Sequence, residues 1–175
     1  MSAPAAAASQ RQSDVLIIGG GPAGSTAAIT LAQKGYDVVV LEKARHPRFH
    51  IGESLLPANL PLFESLGVGA EIRGIGMQKW GAEFVSPWHA VRSQTFEFAE
   101  GWNKSLPLAY QVRRSQFDEI LLRRAAACGA RVVEGCRVRE VEFLPATPAG
   151  RRIRVESEHD GRAETWEARY ILDAS

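Results

Sequence analysis

Two mostly apolar runs, DVLII at 14–18 and DVVVLE at 37–42, lie close together, each bounded by charge or glycine. Runs this short and without polar alternation predict strands buried on both faces, as in a parallel sheet. Between them a glycine cluster, Gly19 to Gly21, opens a helix-forming stretch at 23–33, and Gly35 stands where a left-handed residue closes a helix. Strand, glycine turn, helix and strand within roughly thirty residues predict a parallel βαβ crossover.

The pattern then changes. Residues 43–52 (KARHPRFHIG) form a polar, basic loop. Ser54 is placed to cap a helix reaching to about residue 66, with Pro57 and Pro61 restricting its start. Gly67, Gly69, Gly74 and Gly76 predict a break in regular structure. Alternating, aromatic segments between 77 and 111 (KWGAEF, SQTFEF) predict antiparallel strands in a sheet that faces substrate. A helix is expected at 115–128, with Ser115 and Asp118 as a capping-box-like pair. Its apolar face would carry Phe117, Ile120, Leu121, Ala125 and Cys128, with Arg123 and Arg124 near the end that favours cations. Strands follow at 131–134, 137–143 and 151–158. Asp160-Gly161 predicts a hairpin turn into 162–170, and the closing YILDAS one more buried strand. The expected class is α/β: a Rossmann-like sheet with a βαβ start and an inserted antiparallel β region. The expected division is a disordered tail at 1–12, a nucleotide-binding unit with a flanking helix at 13–76, an antiparallel region at 77–112, and a continuation at 113–175.

Composition narrows the function classes. The 175 residues are 45% apolar and 23% charged, an ordinary globular balance. Lys plus Arg (21) nearly cancels Asp plus Glu (20), which argues against a nucleic-acid or acidic-membrane partner. No segment approaches a membrane span. The opening MSAPAAAASQRQS lacks the basic start and strongly apolar run of a signal peptide. Cys128 and Cys136 have neither CxxC spacing nor a nearby His, so small buried thiols in a reducing cytoplasm are expected, with no disulfide and no metal site. His46, His50, His89 and His159 are scattered without ligand spacing.

The chemistry concentrates at Gly19-x-Gly21-x-x-Gly24. A glycine triplet alone is a weak signal, and a turn that binds nothing is the plain alternative. Here the triplet follows an apolar strand, opens a helix, and precedes an acid, Glu42, about twenty positions on at a strand end. Gly19 permits the tight turn, Gly21 close approach of a diphosphate, and Gly24 close packing of helix on strand. Amides at the helix start hold the phosphate charge, and Glu42 accepts from ribose hydroxyls. This points to a dinucleotide and leaves FAD and NAD unseparated.

HIGESLLP (50–57), KWGAEF (79–84) and AYQVRRSQFDEILL (109–122) together resemble flavin-dependent halogenases, more those acting on phenolic or pyrrole substrates than the tryptophan branch. The likeness spans roughly residues 13–175. A wider resemblance joins FAD reductases and monooxygenases of geranylgeranyl-reductase type, which share the glycine turn, the Arg-x-x-Phe-Asp helix start and the Asp-Ala-Ser strand end. The resemblance implies FAD as cofactor. It places Gly19, Gly21, Pro22, Ala23, Gly24, Glu42 and Lys43 at the ADP half. Glu53 and Ser54 would flank the flavin ring, and Arg114 would lie near the cofactor. The backbone of Val138 would lie near adenine, and Asp173 and Ala174 would approach the cofactor again. Lys79 matches the catalytic lysine that positions a hypohalous acid, or carries its halogen, for attack on an electron-rich ring. Without that likeness, a strand lysine reads as a solvated edge residue.

The implied partners are halide, a small aromatic substrate, free or tethered to a carrier protein, and a separate flavin reductase supplying FADH2. Trp80 and Phe84 are expected on the sheet face opposite Lys79. The family's Trp-x-Trp-x-Ile-Pro segment does not occur among these residues, and the chain stops before the glycine expected after Asp-Ala-Ser. An amino-terminal fragment is therefore expected, its sheet left with an unpaired buried edge where a central late strand is missing. Two other readings stay open: an FAD-dependent reductase or monooxygenase, and a truncated, non-catalytic remnant.

Overall fold

A computed structural model describes residues 11–90, 92–145 and 152–175. Residues 1–10 of the expected tail and the strand start at Arg151 lie outside the described residues. The chain divides into two compact units, Met1–Arg48 with Asp118–Ser175, and Phe49–Phe117. These boundaries differ from the expected 76/77 and 112/113. Backbone bonds from Leu55 N to the Tyr110 carbonyl (2.9 Å) and from Val112 N to the Glu53 carbonyl (2.9 Å) tie the stretch after residue 49 to the strand before Val112.

In the first unit, β1 (Gln12–Ile18), α1 (Pro22–Gln33) and β2 (Val38–Glu42) form the βαβ start. All five β2 residues are buried, as an unbroken apolar run requires of a strand covered on both faces. With β7 (Arg131–Glu134), β8 (Cys136–Phe143), β9 (Ile153–His159) and β10 (Arg162–Asp173) they make a six-stranded sheet of order β7-β2-β1-β10-β9-β8. The β7, β2, β1 and β10 pairings are parallel, and β10-β9 and β9-β8 are antiparallel. The apolar cluster beneath it joins Leu16, Val39 and Leu41 to Cys136, Val155 and Trp166. Trp166 Nε1 donates to Ser157 Oγ (2.9 Å), so the indole is buried with its polar group satisfied.

YILDAS is not a separate strand. It is the second half of β10, whose first half pairs with β9 (Arg162 with His159) and whose later residues pair with β1 (Ile18 with Asp173). β1 consequently has a neighbour on both sides, and the expected unpaired central edge does not arise. A strand of twelve residues can serve two partners at different points along its length.

The second unit holds α2 (Asn59–Leu66), α3 (Gly69–Ile75), β3 (Met77–Lys79), β4 (Gly81–Val85), β5 (Ser93–Glu97), a 3-10 turn (Phe98–Glu100) and β6 (Ala109–Gln111). Ser54 does not cap α2. Its N-cap is Ala58, and Ser54 instead makes an isolated antiparallel bridge to Gln111. The glycine-rich stretch does not break the chain either. Gly67 takes the left-handed position that ends α2, and Gly69–Ile75 is helical, with Val68 and Ile72 fully buried. Burial of two branched side chains outweighs the helix penalty of about 1 kcal/mol per glycine. The antiparallel region is two separate ladders, β3-β6 and β4-β5.

α4 (Arg114–Ala127) spans the expected third helix. Its buried positions are Phe117, Asp118, Leu121, Leu122 and Ala125, whereas Ile120 and Cys128 are half-buried. Asp118 belongs to the buried face. Among the described residues, no helix is long and apolar enough to cross a membrane, and no group of His, Cys, Asp and Glu could hold a metal. Both cysteines are free thiols, and burial pushes the Cys136 thiol above its ordinary pKa.

Candidate functional site

The glycine elbow joins β1 to α1. Gly19 has φ of +100° and donates its N–H to the Leu41 carbonyl (2.9 Å), which binds the turn to β2. A Cβ on Gly19 would lie 2.6 Å from the Ala174 carbonyl oxygen, and one on Gly24 2.0 Å from the Gly19 carbonyl oxygen. Backbone is packed on backbone at both positions, and no side chain fits. Gly20, which the glycine spacing leaves without a role, donates its N–H to Glu42 Oε2 (2.6 Å). A Cβ on Gly20 would lie 3.0 Å from side-chain carbons of both Glu42 and Leu122. Gly21 differs: the nearest heavy atom to its Cβ position is an Arg48 guanidinium nitrogen at 3.7 Å.

Glu42 is buried at the end of β2, with Oε1 accepting from Ala44 N (2.7 Å). Each oxygen thus accepts one backbone N–H and keeps a lone pair for a hydroxyl. Gly21 is the N-cap of α1, with no side-chain cap, and Pro22 is the first helical residue, where its missing N–H costs nothing. Helix geometry leaves the Ala23 and Gly24 amides without intrahelical acceptors. Ala174 N donates to the Ile18 carbonyl (2.9 Å), holding the Asp173-Ala174 pair against the elbow. The Ser175 N–H on its carboxylate holds Asp173 below its ordinary pKa. Lys43 is exposed beside Glu42, and Val138 is half-buried on β8 next to the apolar cluster.

Sequence reasoning missed a second polar cluster in this unit. His46 is buried, and both its backbone N (2.6 Å) and its Nδ1 (3.1 Å) meet Glu134 Oε1, while Arg123 Nη1 donates to Glu134 Oε2 (2.7 Å). Burial pushes the Glu134 carboxyl up, but the bonds from the His46 backbone and Arg123 outweigh it and hold it below the ordinary value. The only sequence signal was that one basic loop carries a histidine between two arginines.

In the second unit, Lys79 Nζ at the end of β3 donates to Ser54 Oγ and stands 5.3 Å from the centroid of the Phe98 ring. Ser54 is exposed and Lys79 half-buried. Arg114 Nη1 donates to the Ile51 carbonyl (2.8 Å), beside Gly52 with φ of +92°. Glu53 sits half-buried next to it, its carbonyl paired with Val112 N. The second unit therefore brings Glu53, Ser54, Lys79 and Arg114 onto strands and turns linked by backbone bonds. Trp80 follows Lys79 between two ladders and Phe84 lies on β4, so the single-sheet reasoning about opposite faces does not apply; both are exposed.

The FAD binding domain model matches residues 12–174. The chain belongs to the FAD-binding domain family. Its cofactor is FAD, and the elbow fits that group: one open glycine face, helix-start amides, and a buried carboxylate with lone pairs remaining. The domain is 36% identical over 167 residues to a flavin-dependent halogenase of Armillaria mellea, covering 93% of this chain and 31% of that protein. It is also 36% identical over 169 residues to a tryptophan 2-halogenase of Chondromyces crocatus, covering 92% and 30%. Among solved structures it is similar to the myxobacterial chondrochloren halogenase, a variant of FAD-dependent halogenases. There the TM-score is 0.82 at 35% identity, with 94% of this chain and 37% of that chain covered. The domain thus spans about a third of the length of the curated relatives it matches.

Proposed function

We propose that this FAD-binding domain serves a flavin-dependent halogenase acting on an electron-rich aromatic. The observation that carries this reading is Lys79. Its ammonium is held by Ser54 Oγ over the Phe98 ring, in a chain 36% identical to halogenases. Bound FAD, when reduced and supplied with oxygen and halide, furnishes hypohalous acid. Lys79 then has two ways to act. As an ammonium it donates a hydrogen bond to the acid's oxygen and makes the halogen more electrophilic. As a free amine it forms an N–Cl bond, releasing water as the O–Cl bond breaks. Either way one nitrogen fixes where the halogen meets the ring.

For the cofactor, Gly19, Gly21, Pro22, Ala23 and Gly24 form the diphosphate turn, Glu42 accepts from ribose, Lys43 adds positive charge, and the Val138 backbone lies by adenine. Glu53, Ser54 and Arg114 line the flavin side, and Asp173 with Ala174 closes on the turn. The partners are halide, a flavin reductase supplying FADH2, and an aromatic substrate, free or carrier-tethered.

The test supplies the purified domain with FAD, a flavin reductase, chloride and a panel of phenols, pyrroles and indoles, and reads products by mass spectrometry. Chlorinated product is expected, and Lys79→Ala is expected to abolish it while FAD stays bound. Hydroxylated or reduced product without chlorine, or chlorination unchanged by Lys79→Ala, removes the proposal.

A further inference from the structure

We propose that Arg48 is a further binding residue for the cofactor's diphosphate, positioned by Asp118. This rests on FAD as the cofactor and is independent of the halogenation chemistry. Three of the four elbow glycines are closed off: a Cβ would meet backbone oxygen at Gly19 and Gly24, and packed side chains at Gly20. Gly21 alone of the four faces open space, and the atom nearest that space is Arg48 Nη2, at 3.7 Å. A guanidinium therefore stands over the one face of the turn that backbone amides leave accessible.

That guanidinium is held but not consumed. Arg48 Nη2 lies 3.6 Å from Asp118 Oδ2, whose side chain is fully buried, while the Arg48 side chain is 22% exposed. The separation is an ion pair beyond hydrogen-bond length, so it orients the fork without saturating its donors. Arg48 Nε is buried and has no hydrogen-bond partner among the described residues. Buried donors in native proteins are almost always paired, so an orphan beside an anion-binding turn calls for an acceptor. A diphosphate oxygen supplies one.

Charge points the same way. Glu42 places a buried carboxylate on the Gly20 amide, at the same turn. A diphosphate adds two more negative charges, and a helix N-terminus offers only about half a positive charge. A cation is needed there, and a planar fork suits phosphate better than an ammonium. Asp118, half of an apparent helix-capping pair in the sequence, thereby acquires a positioning role from its place on the buried face of α4.

The experiment measures dissociation constants of FAD, ADP and riboflavin for the purified chain, alongside the ligand-free thermal midpoint. Arg48→Met, which keeps the apolar stem, is expected to weaken FAD and ADP about tenfold to a hundredfold and to leave riboflavin unchanged. The salt dependence of ADP binding should become shallower. Arg48→Lys should recover part of the loss, and it carries the test if the Met variant does not fold. Asp118→Asn should weaken FAD less than Arg48→Met, and adding it to Arg48→Met should cost nothing further in affinity. Wild-type-like FAD and ADP affinity in Arg48→Met, with its salt dependence unaltered, overturns the Arg48 assignment alone. Equal weakening of riboflavin would make the effect a general distortion and also overturn it. Failure of the unaltered chain to bind FAD or ADP sinks the cofactor reading and this proposal together.

Discussion

Gly24 and Gly74 are chemically identical and physically opposite. A methyl on Gly24 would sit 2.0 Å from the Gly19 carbonyl oxygen, which belongs to the turn itself and cannot move without opening it. Gly74 lies inside α3 with nothing within 4 Å of its Cβ position. Gly24→Ala should therefore destabilise the fold by about 3 kcal/mol and abolish FAD binding. Gly74→Ala should stabilise it by about 0.5–1 kcal/mol, because alanine gives up less backbone freedom in a helix. Denaturant titration of both variants checks the pair, and equal effects of one sign would contradict the packing described. Both glycines were visible in the sequence, and the Gly24 role followed from its spacing. The role of Gly20 did not follow, because its partner Glu42 is distant in the chain and meets its amide only when β1 and β2 pair.

At the level of elements, β2, β7 and the loop after β2 are joined by one carboxylate. Glu134 receives the His46 backbone N–H and ring nitrogen on one oxygen and Arg123 on the other. Its folded pKa is depressed below the ordinary 4.5. A depressed carboxylate contributes stability that is full above its unfolded pKa and is lost as pH falls through the folded value. Glu134→Gln should accordingly lower the thermal midpoint near neutral pH. The gap between variant and wild type should narrow as pH drops below 4.5. A gap that stays constant, or widens with acid, would contradict the cluster. Element type was mostly legible here: both early strands, α1, α4, β7 and the Asp160-Gly161 turn lie where periodicity and turn chemistry put them. The errors fell on α3, where tertiary burial of Val68 and Ile72 overrode four glycines, and on β10, where a turn-free run of twelve residues was split in two.

For the whole molecule, ligand binding and stability are linked. A group that binds only the folded chain raises its stability by about 2.7 kcal/mol at a hundred times its dissociation constant. Adding FAD should raise the thermal midpoint with the logarithm of its concentration, and ADP should do so in part. A midpoint that ignores both would contradict the assigned cofactor. The exposed aromatics of the second unit, with Trp88 at 89% and Trp102 at 105% relative exposure, are more than packing within that unit accounts for. Nothing in the periodicity of residues 77–111 announced this, because an alternating pattern marks one face of a strand as apolar without saying what covers it.

Sequence alone determined the parallel βαβ start, the diphosphate turn and the halogenase likeness, since each depends on local spacing: apolar runs, glycines at fixed offsets, short motifs. Only the tertiary structure decided that β10 flanks β1, that Ser54 meets Lys79 and not a helix start, and that Arg48 stands over Gly21 on a buried Asp118. Those are contacts between residues far apart in the chain. Their geometry is set by which surfaces pack, and no local pattern encodes it.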